Sequence, residues 1–218
     1  MTVPLLKLLQ ITSPGLPVGA YSYSQALEWV VEAGWVNDRE SFVQWLTEQL
    51  NGTLAQQELP ILKRLYEAYG LHDARAVQHW DEYCVATRET SELRLEEKHR
   101  GRALSVLIVS LDIGTPVVSP QSQIAGFAFF CNSENIPLTQ TLHGYAYSWL
   151  ENQVAAGIKL VPLGQTEGQS ILYSFGHKIE QAVTRALSIC DDDIGYSSPG
   201  LAMASSLHET QYCRLFRS

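Results

Sequence analysis

The stretch Asn37-Asp38-Arg39-Glu40-Ser41-Phe42-Val43-Gln44-Trp45-Leu46-Thr47-Glu48-Gln49-Leu50 decides the fold class. Phe42, Trp45, Leu46 and Leu50, with Gln49 beside them, recur at three-to-four spacing. That spacing gathers them on one face of an α-helix and would scatter them over both faces of a strand. A capping residue, Asn37, followed by Glu40 at the third helical position marks the start. The same period runs on through Leu54, Leu59, Ile61, Leu62, Leu65, Tyr66 and Tyr69 to a stop at Gly70. Pro60 marks a kink or a new first turn inside it, because proline lacks the donor that a helix interior uses.

The period holds outward from this stretch in both directions. Leu5, Leu6, Leu8 and Leu9 suit a short first helix stopped by Ser13-Pro14. A second helix is predicted from about Ser22 to Ala33, opened by a Ser22–Gln25 capping box and closed by Gly34. His72-Asp73 opens another, with Ala76, Val77, Trp80, Tyr83 and Cys84 inward. The charged run from Arg88 to Arg102 leads into a long helix through Leu104, Leu107, Ile108 and Leu111. Its alternating signs predict a solvated face, with Glu96–Arg100 and Glu97–Arg94 pairs.

Further helices are predicted over about Gln123 to Ser133, Pro137 to Ala155 and Thr166 to Ile189, the last opened by a Thr166–Gln169 capping box. Gly168 in that first turn costs about 0.5–1 kcal/mol relative to Ala, so a neighbour is expected to pass close to it. Val117-Val118 and Ile158 to Val161 suffice only for strand fragments. The expected fold is all-α, a single-domain multi-helix bundle over residues 1–218 with a tail at about 197–218.

Composition narrows the function. Charged residues make up 17% of the 218, against ten Tyr and five Trp, a balance that suits protein partners. The net charge is −8, and no Lys/Arg cluster is free of interleaved Glu, which argues against nucleic acid. The longest apolar run, Ala103 to Leu111, falls far short of the ~20 residues that span a bilayer. With no basic leader or cleavage site at the N-terminus, a cytoplasmic protein without a membrane partner is expected. Cys84, Cys131, Cys190 and Cys213 form no Cys-x-x-Cys pair and read as reduced thiols.

Catalytic and metal patterns are sparse. Gly15-x3-Gly19 lacks the lysine of a phosphate loop, and there is no Gly-x-Ser-x-Gly elbow. His72, His79, His99, His143, His177 and His208 never come at i,i+4 spacing. Cys190-Asp191-Asp192-Asp193 reads as a solvated turn, or as a loose cation collector.

Two segments rise above this background. Ser13-Pro14-Gly15-Leu16-Pro17 is turn chemistry aimed at a helix start, with Tyr21 and Tyr23 between the two. The tail from Pro199 keeps Leu207, Tyr212, Leu215 and Phe216 among Arg214 and Arg217, where a chain end is ordinarily polar. That composition suits a docking segment that orders on a partner, or one that packs back on its own domain.

These segments resemble the UreF family of urease accessory proteins. The resemblance lies in Leu9-Gln10 through Ser13-Pro14, Leu16-Pro17-Val18-Gly19, Tyr21-Ser22-Tyr23-Ser24 and Leu27-Glu28. It continues in Arg88-Glu89, Glu92-Leu93-Arg94, the run from Trp149 to Gln169 including Val161-Pro162-Leu163-Gly164-Gln165-Thr166, and His208-Glu209-Thr210-Gln211-Tyr212 onward. Cys213 stands where the family usually has Ser, and Ala202 where Asp is common.

The resemblance implies an all-α dimeric scaffold that is not an enzyme. It implies partners UreD (UreH), the GTPase UreG and apo-urease, with nickel delivery and assistance to carbamylation of the urease lysine. No cofactor is then bound stably, since nickel and GTP act through the partner proteins. In the family the C-terminal segment orders on UreD, so His208, Glu209, Tyr212, Arg214, Leu215 and Phe216 are expected at that interface. Tyr21, Tyr23 and Glu28 are expected on a dimer or partner-facing surface, with Gln165 and Gln169 near it. A helical hydrolase or lyase with scattered Glu and His, and a helical adaptor of another pathway, are the alternatives. They differ in whether His208 and Glu209 sit in a cleft or on a free tail.

Overall fold

The computed structural model describes residues 2–218, and among them the chain is helical with no strand. The helices are α1 (Thr2–Thr12), α2 (Leu27–Glu32), α3 (Arg39–Gln49), α4 (Leu59–Gly70), α5 (Ala74–Ala86) and α6 (Ser91–Ser110). After them come α7 (Gln123–Ser133), α8 (Leu138–Leu160), α9 (Gln165–Ser174), α10 (Gly176–Ser188) and α11 (Pro199–His208). The expected all-α architecture is what the chain adopts.

The long predicted helix over 37–70 is one continuous rod with a widened middle. It is α-helical to Gln49, π-helical over Leu50–Glu58 and α-helical again from Leu59, with Pro60 in the new first turn. The cap lies one residue later than expected. Asp38 accepts from the Ser41 amide at 2.8 Å while Ser41 Oγ accepts from the Asp38 amide at 3.2 Å, so Ser41 takes the role assigned to Glu40. The extra residue of a π turn rotates the register and leaves Gln49, Thr53, Gln57 and Glu58 buried beside Leu50 and Leu54.

At the centre lies α7, whose residues Gln123 through Cys131 are all buried. A helix apolar on every side must be surrounded, and α4, α5, α6 and α8 pack around it. Its entry is fixed by Asp81 on α5, whose carboxylate accepts from the amides of Gln121 at 2.8 Å and Ser122 at 3.0 Å. Against this turn lies Gly101 of α6. A β-carbon there would stand 2.7 Å from the Ser122 carbonyl carbon, a backbone atom that cannot swing aside.

Several local expectations are corrected. The predicted helix over 22–33 is only α2, because Tyr23 is extended, Ser24 is bonded to the tail, and Gln25 and Ala26 are left-handed. The Ser22–Gln25 capping box therefore does not form. Gly34 closes α2 as expected, at φ +75°, with Trp35 N–H reaching Val30 O at 2.9 Å in a Schellman motif.

Ile158 to Leu160 belong to α8 rather than to a strand. The last predicted helix is two, α9 and α10, meeting at the buried Phe175. Its first turn is capped by Glu167, which accepts from the Gly164 amide at 2.8 Å, and not by Thr166. The close approach at Gly168 is present: an added β-carbon would meet Ile158 Cδ1 at 2.6 Å.

Gly101→Ala should separate α6 from the α7 entry and lower stability by about 1–3 kcal/mol, the cost of overpacking a filled core. Urea unfolding followed by circular dichroism reads that difference directly.

Candidate functional site

The tail packs back on its own domain. Ser198 caps α11 by accepting from the Leu201 amide at 3.3 Å, and α11 lies against α2. At its end His208 is wholly buried between two carboxylates, with Nδ1 donating to Glu92 Oε2 at 2.6 Å and Nε2 lying 3.5 Å from Glu28 Oε2.

Glu28 then holds the returning backbone, accepting from the Leu215 amide at 2.5 Å and the Phe216 amide at 2.9 Å. Arg217 N–H donates to Ser22 O at 2.9 Å, and Ser24 N–H donates to Ser218 O at 2.8 Å. Ser24 Oγ also donates to Ser218 O, at 2.7 Å, and Ser218 Oγ donates to Glu96 at 2.7 Å. Phe216 is buried, and the Lys159 ammonium lies 5.5 Å from its ring centre.

Glu209 caps α6, accepting from Ser91 Oγ at 2.6 Å and from the Glu92 amide at 3.2 Å. The Ser91 hydrogen bond, aided by those backbone donors, holds its carboxyl below the usual range.

Gln25 ties the opening loop to α8 and α6. Its carbonyl accepts from Trp149 Nε1 at 2.9 Å and Gln153 Nε2 at 3.3 Å, while its amide donates to Glu96 at 3.1 Å. It does so with φ of +52°, beside Ala26 at +65°. Two consecutive non-glycine residues in the left-handed region cost free energy that the surrounding bonds must offset.

Behind this layer sits a buried ion cluster, two members of which, Arg88 and Glu97, the sequence reading placed on a solvated face. Arg88 pairs through Nη1 with Glu58 and through Nη2 with Glu97 at 2.5 Å. Tyr145 Oη donates to Glu58 at 2.9 Å, and the Ile124 amide donates to Glu97 at 3.2 Å. Burial works against the Arg88 charge, yet Glu58 and Glu97 outweigh it and raise its pKa above the ordinary arginine value. Burial first, then the same two carboxylates, pushes the Tyr145 phenol up. Of the expected pairs, Glu96–Arg100 forms at 2.8 Å, whereas Arg94 turns to the Arg88 carbonyl at 2.6 Å.

The sequence held a signal for this cluster. Glu58 occupies the stripe position between Leu54 and Leu62, and Glu97 the one between Leu93 and Leu104. A carboxylate on an apolar stripe announces a buried partner.

The remaining expected residues divide by exposure. Tyr21, Gln165 and Gln169 come together on the wall of a groove of about 340 Å3, with Arg100, Glu151 and Lys159 also lining it. Burial raises the Glu151 carboxyl there. Tyr212 is fully exposed and Leu215 is 65% exposed, on the outer side of the tail. Tyr23, Glu28, His208 and Phe216 face inward; Glu28, His208 and Phe216 hold the tail in this conformation, while Tyr23 Oη lies 3.4 Å from His99 Nδ1. His208 and Glu209 thus sit neither on a free tail nor in a substrate cleft. Asp191–Asp193 form a short 3-10 turn with Asp191 paired to Arg64 at 2.7 Å, and no cluster of three metal-ligating side chains occurs among the described residues. No described helix is long and apolar enough to cross a membrane.

Fold and site define an all-helical protein whose charges are committed to a buried ion cluster and a strapped-down tail. Comparison with known proteins specifies it further. The family model described as UreF matches residues 36–176. "Urease accessory protein UreF" of Pseudomonas putida strain W619 is 50% identical across 98% of this chain and 97% of its own length. The proteins of the same name from Alcanivorax borkumensis (46%, 97% of each chain) and Teredinibacter turnerae (44%, all of each chain) are similar throughout. The chain belongs to the UreF family.

Replacing Arg88 with Met should destabilise the fold by roughly 3–5 kcal/mol, because it leaves two buried carboxylates without their cation. Chemical denaturation at neutral pH checks it. Glu28→Ala removes the acceptor of two tail amides at a cost of about 1–3 kcal/mol each for any left unsatisfied. Hydrogen exchange at Leu215 and Phe216 should accelerate before any change appears in α7.

Proposed function

We propose that this chain is the scaffold on which UreD (UreH) and the GTPase UreG meet during maturation of apo-urease. As a member of the UreF family it is a urease accessory protein and not an enzyme. Nickel is cargo in this reading, GTP is handled by UreG, and the chain works in the cytoplasm as a homodimer without a stably bound cofactor. The observation that carries the reading is near-50% identity over almost the whole length to proteins of that name.

The site supports a division of labour within the tail. His208, Phe216, Glu28 and the Arg214–Glu92 pair fix the segment, while Tyr212 and Leu215 project from it. A held segment with an exposed aromatic and an exposed aliphatic side chain has the composition of interface anchors and loses little entropy on docking. Tyr21, Gln165 and Gln169 on the neighbouring groove supply a second contact area.

Truncation after Gly200 is a poor test, since it strips Leu201, Ala204, His208 and Phe216 from the core. The combined variant Tyr212→Ala, Leu215→Ala touches only exposed side chains. It should weaken the complex with UreD at least about tenfold and leave the melting temperature unchanged, as read by light scattering after size exclusion and by thermal unfolding. Unchanged affinity removes the tail from the interface. Failure of the unaltered chain to bind UreD overturns the scaffold reading.

A further inference from the structure

Two buried nitrogens, Arg88 Nε and Gln49 Nε2, have no hydrogen-bond partner among the described residues. Their side chains are 7% and 5% exposed, so solvent does not serve them from outside. Both line a narrow cavity walled also by Thr53, Glu58, Gln153 and Leu201, which leaves about 20 Å3 free for a water-sized sphere. One water needs roughly 10–15 Å3 of such space and two to four polar neighbours, and an unmet buried donor costs about 1–3 kcal/mol.

We propose that this cavity is a binding site for one ordered water that accepts from Arg88 Nε and Gln49 Nε2. The charge balance selects water over an anion. Arg88 already faces Glu58 and Glu97, so the cluster is short of positive charge and repels a further negative one. The two unmet N–H groups select against a cation.

The water joins Gln49 at the end of α3 to Arg88 in the turn before α6, and Leu201 of α11 lines the same space. Because Leu201 belongs to the strapped tail, opening of the tail removes one wall of the site. The water therefore exchanges slowly while the tail is docked and quickly when it opens.

High-resolution crystallography and water-oxygen magnetic relaxation dispersion on the full chain test this. The expected results are a density peak within hydrogen-bonding distance of Arg88 Nε, and a dispersion amplitude that falls by one long-lived water in Gln49→Leu. In Leu201→Ala the water should remain but exchange faster. If Gln49→Leu fails to fold, Gln49→Met, which keeps the side-chain length and removes the same donor, provides the same readout. An empty cavity, a peak that scatters anomalously after a bromide soak, or a dispersion unchanged in both polar-to-apolar variants overturns the proposal.

Discussion

Arg88 between Glu58 and Glu97 is the contact on which the interior is arranged. Moving three ions out of water is expensive, and their mutual attraction offsets that only when every remaining lone pair is engaged. Here the engagement comes from different parts of the chain. Glu58 arrives from the π-helical segment, Arg88 from the turn before α6, Glu97 from α6, the Tyr145 hydroxyl from α8 and the Ile124 amide from α7. A shift of any one of these elements by a residue breaks the set. The cluster thus supplies register to a core whose other contacts, between Leu, Phe and Ala, tolerate sliding.

A second layer of the same kind fastens the tail. Glu28, Glu92 and Glu96 present carboxylates on the side of the molecule where α2 and α6 meet, and they are answered by His208, Arg214, Ser218 and two backbone amides. The left-handed conformations at Gln25 and Ala26 belong to this arrangement. They turn the chain so that Ser22 and Ser24 offer backbone groups to the tail, Gln25 reaches α8, and Glu28 faces inward. Tail and opening loop form one unit, although 180 residues separate His208 from Glu28.

This division explains what was legible in the sequence. Periodicity located the helices that bury an apolar stripe, and α7, apolar on every side, was bounded by the breaks on either side of it. Local polar signals were misread wherever a distant segment outcompeted them. Ser22 and Gln25 match a capping box, but the tail engages the Ser22 carbonyl and α8 engages the Gln25 side chain. Glu97 has Arg94 one turn away, but Arg88 offers a buried partner whose attraction solvent and salt screen less. The family motifs marked both ends of the tail unit without saying that they touch. Nothing short-range in either segment encodes a contact between residues 24 and 218.

The arrangement also shapes the surface. With only 17% of residues charged, each carboxylate or guanidinium drawn inward leaves less to cover the outside. Glu28, Glu58, Arg88, Glu96 and Glu97 are all buried, while Leu5, Leu6 and Leu9 on α1, Val106 and Val109 on α6, and Tyr212 and Leu215 on the tail are exposed. Scattered apolar residues are ordinary on any protein, but rows along helices invite a covering partner. An internal network that fixes the helices therefore also frees apolar faces for assembly, and the tail contributes to both. Its inner side completes the network and its outer side extends the apolar surface, so the force that holds the tail in place is what gives its exposed residues a defined position.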